Sequence, residues 1–145
     1  DKVDAGDIGS GHSVTALYEI IPQGKKGWLD ESRYQAAAPA TGRANEYALV
    51  KVRYKLPGQS QSRLLENIIP ASAKPFEQAG SDTRQAVAAA SYAQALRGGE
   101  YNGKLTWNDI EKMAQSAIGK DPYGLQQEFV ELVQTAKSLS TQASK

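Results

Sequence analysis

The residues that could perform chemistry lie near the N-terminus, in the glycine-rich run from Gly6 to Ser13. This run holds His12, the only histidine of the chain, together with Ser10. A hydrolytic triad combines an imidazole with a hydroxyl and a carboxylate group. One interpretation of this run is therefore a hydrolase that uses His12. The run does not contain the Gly-x-Ser-x-Gly of a nucleophile elbow, because Gly11 follows Ser10 directly. A hydrogen bond from His12 to the loop backbone is the favoured interpretation.

Anion and metal binding are also disfavoured in this run. A phosphate-binding loop would carry a lysine where His12 stands, and it would lead into a helix, whereas the residues that follow alternate as in a strand. Without cysteine and with one histidine, a metal ion would depend on carboxylates. Asp1, Asp4 and Asp7 could hold a weak calcium ion, but they lack the EF-hand spacing. We therefore predict no catalytic residue, no metal site and no cofactor.

Aromatic residues in the second half of the chain are the next candidates. Tyr92, Tyr101, Trp107 and Tyr123 could line a ligand pocket or a partner surface. Trp107 and Phe129 fall on inward helical stripes and are predicted to lie in the core. Tyr101 and Tyr123 stand beside glycines in predicted loops and are the candidate partner contacts. A carbohydrate-binding surface module that uses such exposed aromatics is a further alternative to the hydrolase.

Composition limits the class of protein. The chain has 145 residues, enough for one domain, and its hydrophobic share of 40% depends on alanine, with only two Phe, two Trp and one Met. A thin core is expected. Seventeen basic residues against sixteen acidic ones give a net charge of +1 without a basic stripe, so nucleic acid is not an expected partner. No apolar stretch reaches the roughly 20 residues that span a bilayer.

The sequence pattern of the first half of the chain predicts strands and loops. Apolar residues alternate with others over 13–21 and again over 46–56, which predicts two strands. A third strand is predicted over 63–69, and the turn at 57–60 joins the last two as an antiparallel hairpin. Residues 23–45 hold turn formers and little periodicity, so we expect a long exposed connection.

The second half has helical periodicity. A helix is predicted from Ser81 to about Arg97, a second after a capping box of Thr106 and Asp109, and a third from Asp121 as the cap with Pro122 at its first position. The three predicted inward stripes are Ala86, Ala89, Ala90, Ala93 and Leu96 in the first helix, Trp107, Ile110, Met113, Ala114 and Ala117 in the second, and Leu125, Phe129, Leu132, Val133 and Ala136 in the third.

The predicted fold is therefore α+β, a small antiparallel sheet followed by three C-terminal helices. We expect a single domain over 1–145, with a β part at 1–80 that carries long loops and a helical part at 81–145. The predicted sheet exposes an unpaired edge, which could join two copies as a weak homodimer.

Several stretches of the chain resemble a known family. They are residues 1–20 (DKVDAGDIGSGHSVTALYEI), 48–57 (ALVKVRYKLP), 95–99 (ALRGG) and 128–133 (EFVELV). Together they resemble the region that follows the von Willebrand factor A domain in bacterial proteins of the YfbK kind. The resemblance covers nearly the whole chain and implies an envelope or periplasmic protein, often with a lipoprotein signal, in which this segment accompanies a preceding von Willebrand factor A domain.

The resemblance implies no enzyme. The adhesion site of A domains binds its metal through Asp-x-Ser-x-Ser, and the run from Asp7 to Gly11 does not fit it. The predicted function is a non-enzymatic structural and protein-interaction module, with the preceding A domain and an unknown envelope protein as expected partners.

Overall fold

The structure, a computed structural model, describes residues 6–22 and 45–143. In these ranges a two-stranded antiparallel sheet precedes three helices, which confirms the predicted α+β class. The elements are β1 (Glu46–Tyr54), β2 (Arg63–Pro70), α1 (Ser81–Leu96), α2 (Trp107–Ala117) and α3 (Leu125–Ala143), with a 3₁₀ turn at Phe76–Gln78 before α1.

The described residues fall into two compact units. The hairpin unit contains residues 19–22 and 45–75, and the helical unit contains residues 6–18 and 76–143. The single domain over 1–145 stays a prediction.

The hairpin forms as the sequence predicts. β1 and β2 pair antiparallel, with Val52 opposite Leu65 in the register. In the turn, the backbone N–H of Gln59 donates to the carbonyl of Leu56 over 3.0 Å, and Gly58 has a φ of +72°. Proline at the second position and a left-handed glycine at the third are the pattern of a type II turn. The local residue types are therefore sufficient to specify this connection.

The strand predicted over residues 13–21 is wrong. These residues have no regular secondary structure, and their apolar side chains are exposed, with Tyr18 at 82%. Alternation describes a segment that can pair, but a strand forms only when a neighbour supplies hydrogen bonds to its backbone. Among the described residues no strand pairs with this segment. The predicted connection over 23–45 lies outside the described residues except at Asn45.

The helical unit is built around α2, which packs against both α1 and α3. Its core is small, as predicted from the alanine-rich composition. The buried cluster consists of Ala88, Ile110, Ala114, Val130 and Val133, and partly buried residues that pack against it are Tyr92, Ala95, Trp107, Met113 and Phe129. Among the residues that the structure describes, only Ile110 and Val133 are both large and fully buried.

The prediction of the inward face of α2 is confirmed, whereas the prediction for α1 is wrong in part. Ala88 and Ser91 are buried in α1, while Ala89, Ala93 and Leu96 are exposed. An alanine-rich helix has little hydrophobic asymmetry, so its sequence marks the inward face weakly. The large ring of Tyr92 packs against the core, so the face of α1 that carries this ring is turned toward the core.

α3 begins three residues later than predicted. Asp121 is therefore not the residue directly before the helix, although its Oδ2 accepts hydrogen bonds from the backbone N–H groups of Gln126 and Gln127 in the first turn, both over 3.0 Å. Pro122 lies in a turn before the helix, and Gly124 closes that turn with a φ of +71°. On α3, Val130 is buried and Leu125 and Leu132 are exposed, which corrects the predicted stripe.

Candidate interaction surfaces

His12 lies in an exposed turn of the helical unit. Its backbone N–H donates to the carbonyl of Gly9 over 3.1 Å, and its Nδ1 lies 3.2 Å from the carbonyl oxygen of Ser10. With the proton on Nδ1 the ring donates to that carbonyl, which is the backbone contact expected from the sequence. Ser10 thus contributes its carbonyl oxygen to this contact. The turn holds the imidazole in an exposed position.

The aromatic candidates divide into a core group and exposed residues. The rings of Tyr92 and Trp107 meet edge to face with centroids 6.1 Å apart, and those of Tyr92 and Phe129 meet in the same way at 5.5 Å. The core positions predicted for Trp107 and Phe129 are confirmed. Tyr101 and Tyr123 lie in turns with 54% and 85% of their surface exposed. As partner contacts, both stay predictions.

No described group offers the ligands of a metal site. Among residues 6–22 and 45–143, no three His, Cys, Asp or Glu side chains are close enough together to hold a metal ion. Asp7 is exposed, and Asp1 and Asp4 lie outside the described residues. In the same ranges, no helix is both long enough and apolar enough to cross a membrane.

Apolar side chains of the hairpin are exposed on both faces, and one face has an apolar pair at its centre. The strand register places Val50, Val52 and Leu65 together on this surface, which also carries Asn67 and Arg63 and which we call the apolar face. The sequence predicts that this face of β1 is buried, but Val52 is 50% exposed, and Leu65 opposite it on β2 is 58% exposed. Apolar groups that would each gain free energy from burial therefore remain in water.

The opposite face of the hairpin carries charge. Lys51 faces Glu66 across the strands, and their Nζ and Oε1 atoms are 2.9 Å apart. Arg53 donates a hydrogen bond from Nη1 to the hydroxyl of Ser62 over 3.0 Å. Leu49, Leu64 and Ile68 share this face and are also exposed. The Lys51–Glu66 ion pair is solvated, and it is the feature that distinguishes this face from the apolar face.

A second polar cluster joins α2 to α3. Glu111 accepts hydrogen bonds at Oε2 from the ammonium of Lys137 over 2.7 Å and at Oε1 from Gln134 over 2.9 Å and from Gln115 over 3.3 Å. The hydrogen bond from Lys137, followed by that from Gln134, holds the pKa of the Glu111 carboxyl below its ordinary value of 4.5. We call this cluster the Glu111 clasp.

The clasp predicts an acid-sensitive contribution to stability. A carboxyl whose pKa is lower in the folded state stabilises the fold above its unfolded pKa, and that stability is lost as the pH falls through the folded value. For Glu111 the loss begins below about pH 4.5. Glu111→Gln should flatten the fall in unfolding free energy between pH 5 and pH 3, measured by urea denaturation. Lys137→Met should have the same effect, and an unchanged slope in both variants would contradict the assignment.

Three leucines form a further exposed feature on α3. Leu125, Leu132 and Leu139 are 63%, 50% and 59% exposed. They are spaced by seven residues, which is close to two helical turns, so they lie along one stripe of the helix. We call this stripe the leucine seam. The regular spacing is visible in the sequence. It was not recognised as an exposed stripe, because Leu125 and Leu132 were predicted to point inward.

A comparison with known protein families shows the family to which the chain belongs. Residues 1–139 match the family described as "Uncharacterized protein YfbK, C-terminal". The chain belongs to this family. The YfbK-like resemblance predicted from the sequence is thereby confirmed.

A curated member of the same YfbK group comes from Escherichia coli strain K12 and is named "Uncharacterized protein YfbK". It is 37% identical over 143 residues, a match that covers 97% of this chain and 24% of the relative. The chain thus spans about a quarter of the length of that YfbK protein. No solved structure matches the chain significantly.

Proposed function

We propose that the chain is a non-enzymatic structural and protein-interaction module, which accompanies a von Willebrand factor A domain in a bacterial envelope protein. Two points support the A domain as the neighbour. The resemblance to YfbK-type proteins implies an A domain that precedes this segment. In addition, the matched segment accounts for only 24% of the curated relative, so most of that relative's chain lies outside it.

The observation that carries the proposal is the apolar face of the hairpin. An isolated two-stranded hairpin is at best marginally stable in water, and a third strand or a packed neighbour is normally required. Val50, Val52 and Leu65 are exposed on one surface of this hairpin, where a neighbour could bury them. Burial is favourable by about 25 cal/mol for each Å² of apolar surface.

The two faces of the hairpin predict how the neighbour is oriented. The apolar face offers no charged pair at its centre, where Val52 lies opposite Leu65, and suits an apolar surface of the A domain. The other face carries Lys51 and Glu66, whose charges would have to leave water in a buried contact. The apolar face is therefore the one we assign to the A domain.

Hydrogen exchange in a longer chain that contains both the A domain and this segment tests the proposal. The backbone amides of β1 and β2 should exchange at least tenfold more slowly there than in the 145-residue chain, because covering the hairpin suppresses its local opening. Leu65→Lys should abolish that protection by placing a charge in the buried contact.

Leu64→Lys is the matched control, since it makes the same change one residue away, on the charged face. It should retain the protection. Equal exchange in the long and short chains, or equal effects of the two lysine variants, would show that the apolar face does not contact the A domain.

The remaining partner contacts are proposed from exposed tyrosine side chains and from the outer edges of the strands. Tyr101 and Tyr123, in turns of the helical unit, are the contacts we propose for a further envelope protein. The outer edges of β1 and β2 provide a route to weak pairing between copies, which the A domain would suppress by covering the hairpin.

A further inference from the structure

The connection between α1 and α2, residues 97–106, contains the dipeptide Asn102–Gly103. We propose that this dipeptide is a site of spontaneous deamidation, which converts residue 102 to aspartate or isoaspartate and releases α1 from the connection. Asparagine is one of the chemically labile residues of proteins. The reaction requires only water and this chain, so it depends neither on the A domain nor on any other partner.

The reaction begins at the backbone nitrogen of Gly103. When this nitrogen loses its proton to a base, it attacks the side-chain carbonyl carbon, Cγ, of Asn102. A carbon–nitrogen bond forms, the side-chain nitrogen takes up a proton and leaves as ammonia, and a five-membered succinimide ring remains. Water then opens the ring at one of its two carbonyl carbons, which gives aspartate or isoaspartate at position 102. No oxidant, reductant or cofactor takes part.

The structure leaves the attacking nitrogen accessible. Gly103 is exposed, and it has no side chain that could hinder ring closure. Within residues 6–22 and 45–143, its backbone N–H makes no hydrogen bond, although Asn102 and Leu105 on either side donate to the carbonyls of Gly99 and Asn102 over 3.0 and 3.1 Å. The φ of Gly103 is +59°, a conformation that favours glycine, so the turn itself retains this residue after Asn102.

The other three asparagines of the chain lack this arrangement. Asn45, Asn67 and Asn108 are followed by Glu46, Ile68 and Asp109. Each of these following residues carries a side chain that hinders the approach of its backbone nitrogen. The N–H of Asp109 also donates to the Thr106 side chain at the start of α2, and Ile68 lies within β2. Residue 102 is therefore the position at which we expect conversion first.

A hydrogen bond to α1 opposes the reaction while the connection is closed. The Nδ2 of Asn102 donates to the backbone carbonyl of Ser91 over 2.8 Å. Ser91 is buried, and Asn102 is half-buried. Because the amide is held against α1, its rotation into the ring-closing geometry requires the connection to open locally. The rate of conversion should therefore follow the fraction of time for which the connection is open.

Conversion removes the donor of this hydrogen bond. A carboxylate offers only acceptor atoms, so it cannot replace the amide opposite the carbonyl oxygen of Ser91. A charge at this half-buried position also loses part of its hydration. The new side chain must therefore move away from α1, and isoaspartate in addition lengthens the backbone by one carbon atom. The connection cannot return to its original closed form.

Incubation of the 145-residue chain at neutral and at mildly alkaline pH tests the site. Peptide mass spectrometry should show conversion of Asn102 before that of the other three asparagines. Conversion should be faster at the alkaline pH, because the attacking nitrogen must lose its proton. Earlier conversion of another asparagine, or a rate at residue 102 that does not depend on pH, would overturn the proposal.

Tyr92→Ala tests whether the closed connection protects Asn102. The Tyr92 ring joins α1 to Trp107 and Phe129, so its removal should loosen α1 and accelerate conversion at residue 102 several-fold. Leu96→Ala, an exposed truncation on the same helix, is the control and should leave the rate unchanged. Equal rates in the two variants would overturn the protective role of the hydrogen bond to Ser91.

Asn102→Asp reproduces one product in every molecule and tests the release of α1. Hydrogen exchange of the α1 amides should become about tenfold faster, because the link to Ser91 is lost. Asn108→Asp is the matched control, since it makes the same change at an exposed residue of α2 whose side chain makes no hydrogen bond to the described residues. It should leave α1 exchange unchanged. Equal α1 exchange in the two variants would overturn the release of α1.

Discussion

Replacing Ile110 with alanine is expected to lower the free energy of unfolding of the helical unit by about 2–5 kcal/mol. Ile110 is 1% exposed and is one of two large, fully buried side chains among the described residues. Its neighbours in the core include Ala88 and Ala114, which cannot expand into the space that the truncation leaves. Small domains have a total stability of about 5–15 kcal/mol, so this loss should be visible as partial unfolding near physiological temperature.

Urea denaturation followed by far-ultraviolet circular dichroism would measure this change. Leu96→Ala is the control, because Leu96 is 59% exposed and its truncation should change stability by no more than about 0.5 kcal/mol. Equal destabilisation by the two variants would mean that Ile110 does not hold the three helices together.

Tyr92→Ala should have the second largest effect, a loss of about 2–3 kcal/mol, somewhat less than for a fully buried aromatic side chain. The Tyr92 ring meets Trp107 on α2 and Phe129 on α3, so one side chain of α1 contacts both other helices. Its removal should detach α1 more readily than α3. Hydrogen exchange should show faster exchange of the α1 amides than of the α3 amides in the variant.

Tyr92→Phe separates the ring from the hydroxyl. It keeps both edge-to-face contacts, and we expect it to lose less than about 1 kcal/mol. If Tyr92→Phe were as destabilising as Tyr92→Ala, the hydroxyl rather than the ring contacts would hold α1.

Features that depend on neighbouring residues were predictable from the sequence. The Thr106 side chain accepts from the backbone N–H of Asp109 over 3.3 Å, and the Asp109 Oδ2 accepts from the backbone N–H of Thr106 over 2.9 Å, which is the predicted capping box. The hairpin turn at Pro57 and Gly58 is equally local. In both cases the partners are at most three residues apart, and no distant contact is needed to select the conformation.

Features that depend on distant partners were not predictable in the same way. Residues 13–21 alternate as a strand does, yet pairing requires another strand, and none of the described strands provides it. The face that α1 buries depends on rings from α2 and α3, because its alanines differ little from one another. The apolar face of the hairpin was expected to be half buried, but Val52 and Leu65 are 50% and 58% exposed, because alternation in the sequence does not specify which element covers a face.

Because α2 lies between α1 and α3, a shortened chain that lacks α3 exposes the core of the helical unit. A nonsense mutation that stops synthesis before Leu125 would remove Val130 and Val133 and leave one side of Ile110 in water. Glu111 would at the same time lose Lys137 and Gln134. The remaining two helices would spend much of their time open, and cellular proteases degrade open chains. Premature termination before α3 should therefore act as a loss of the helical unit.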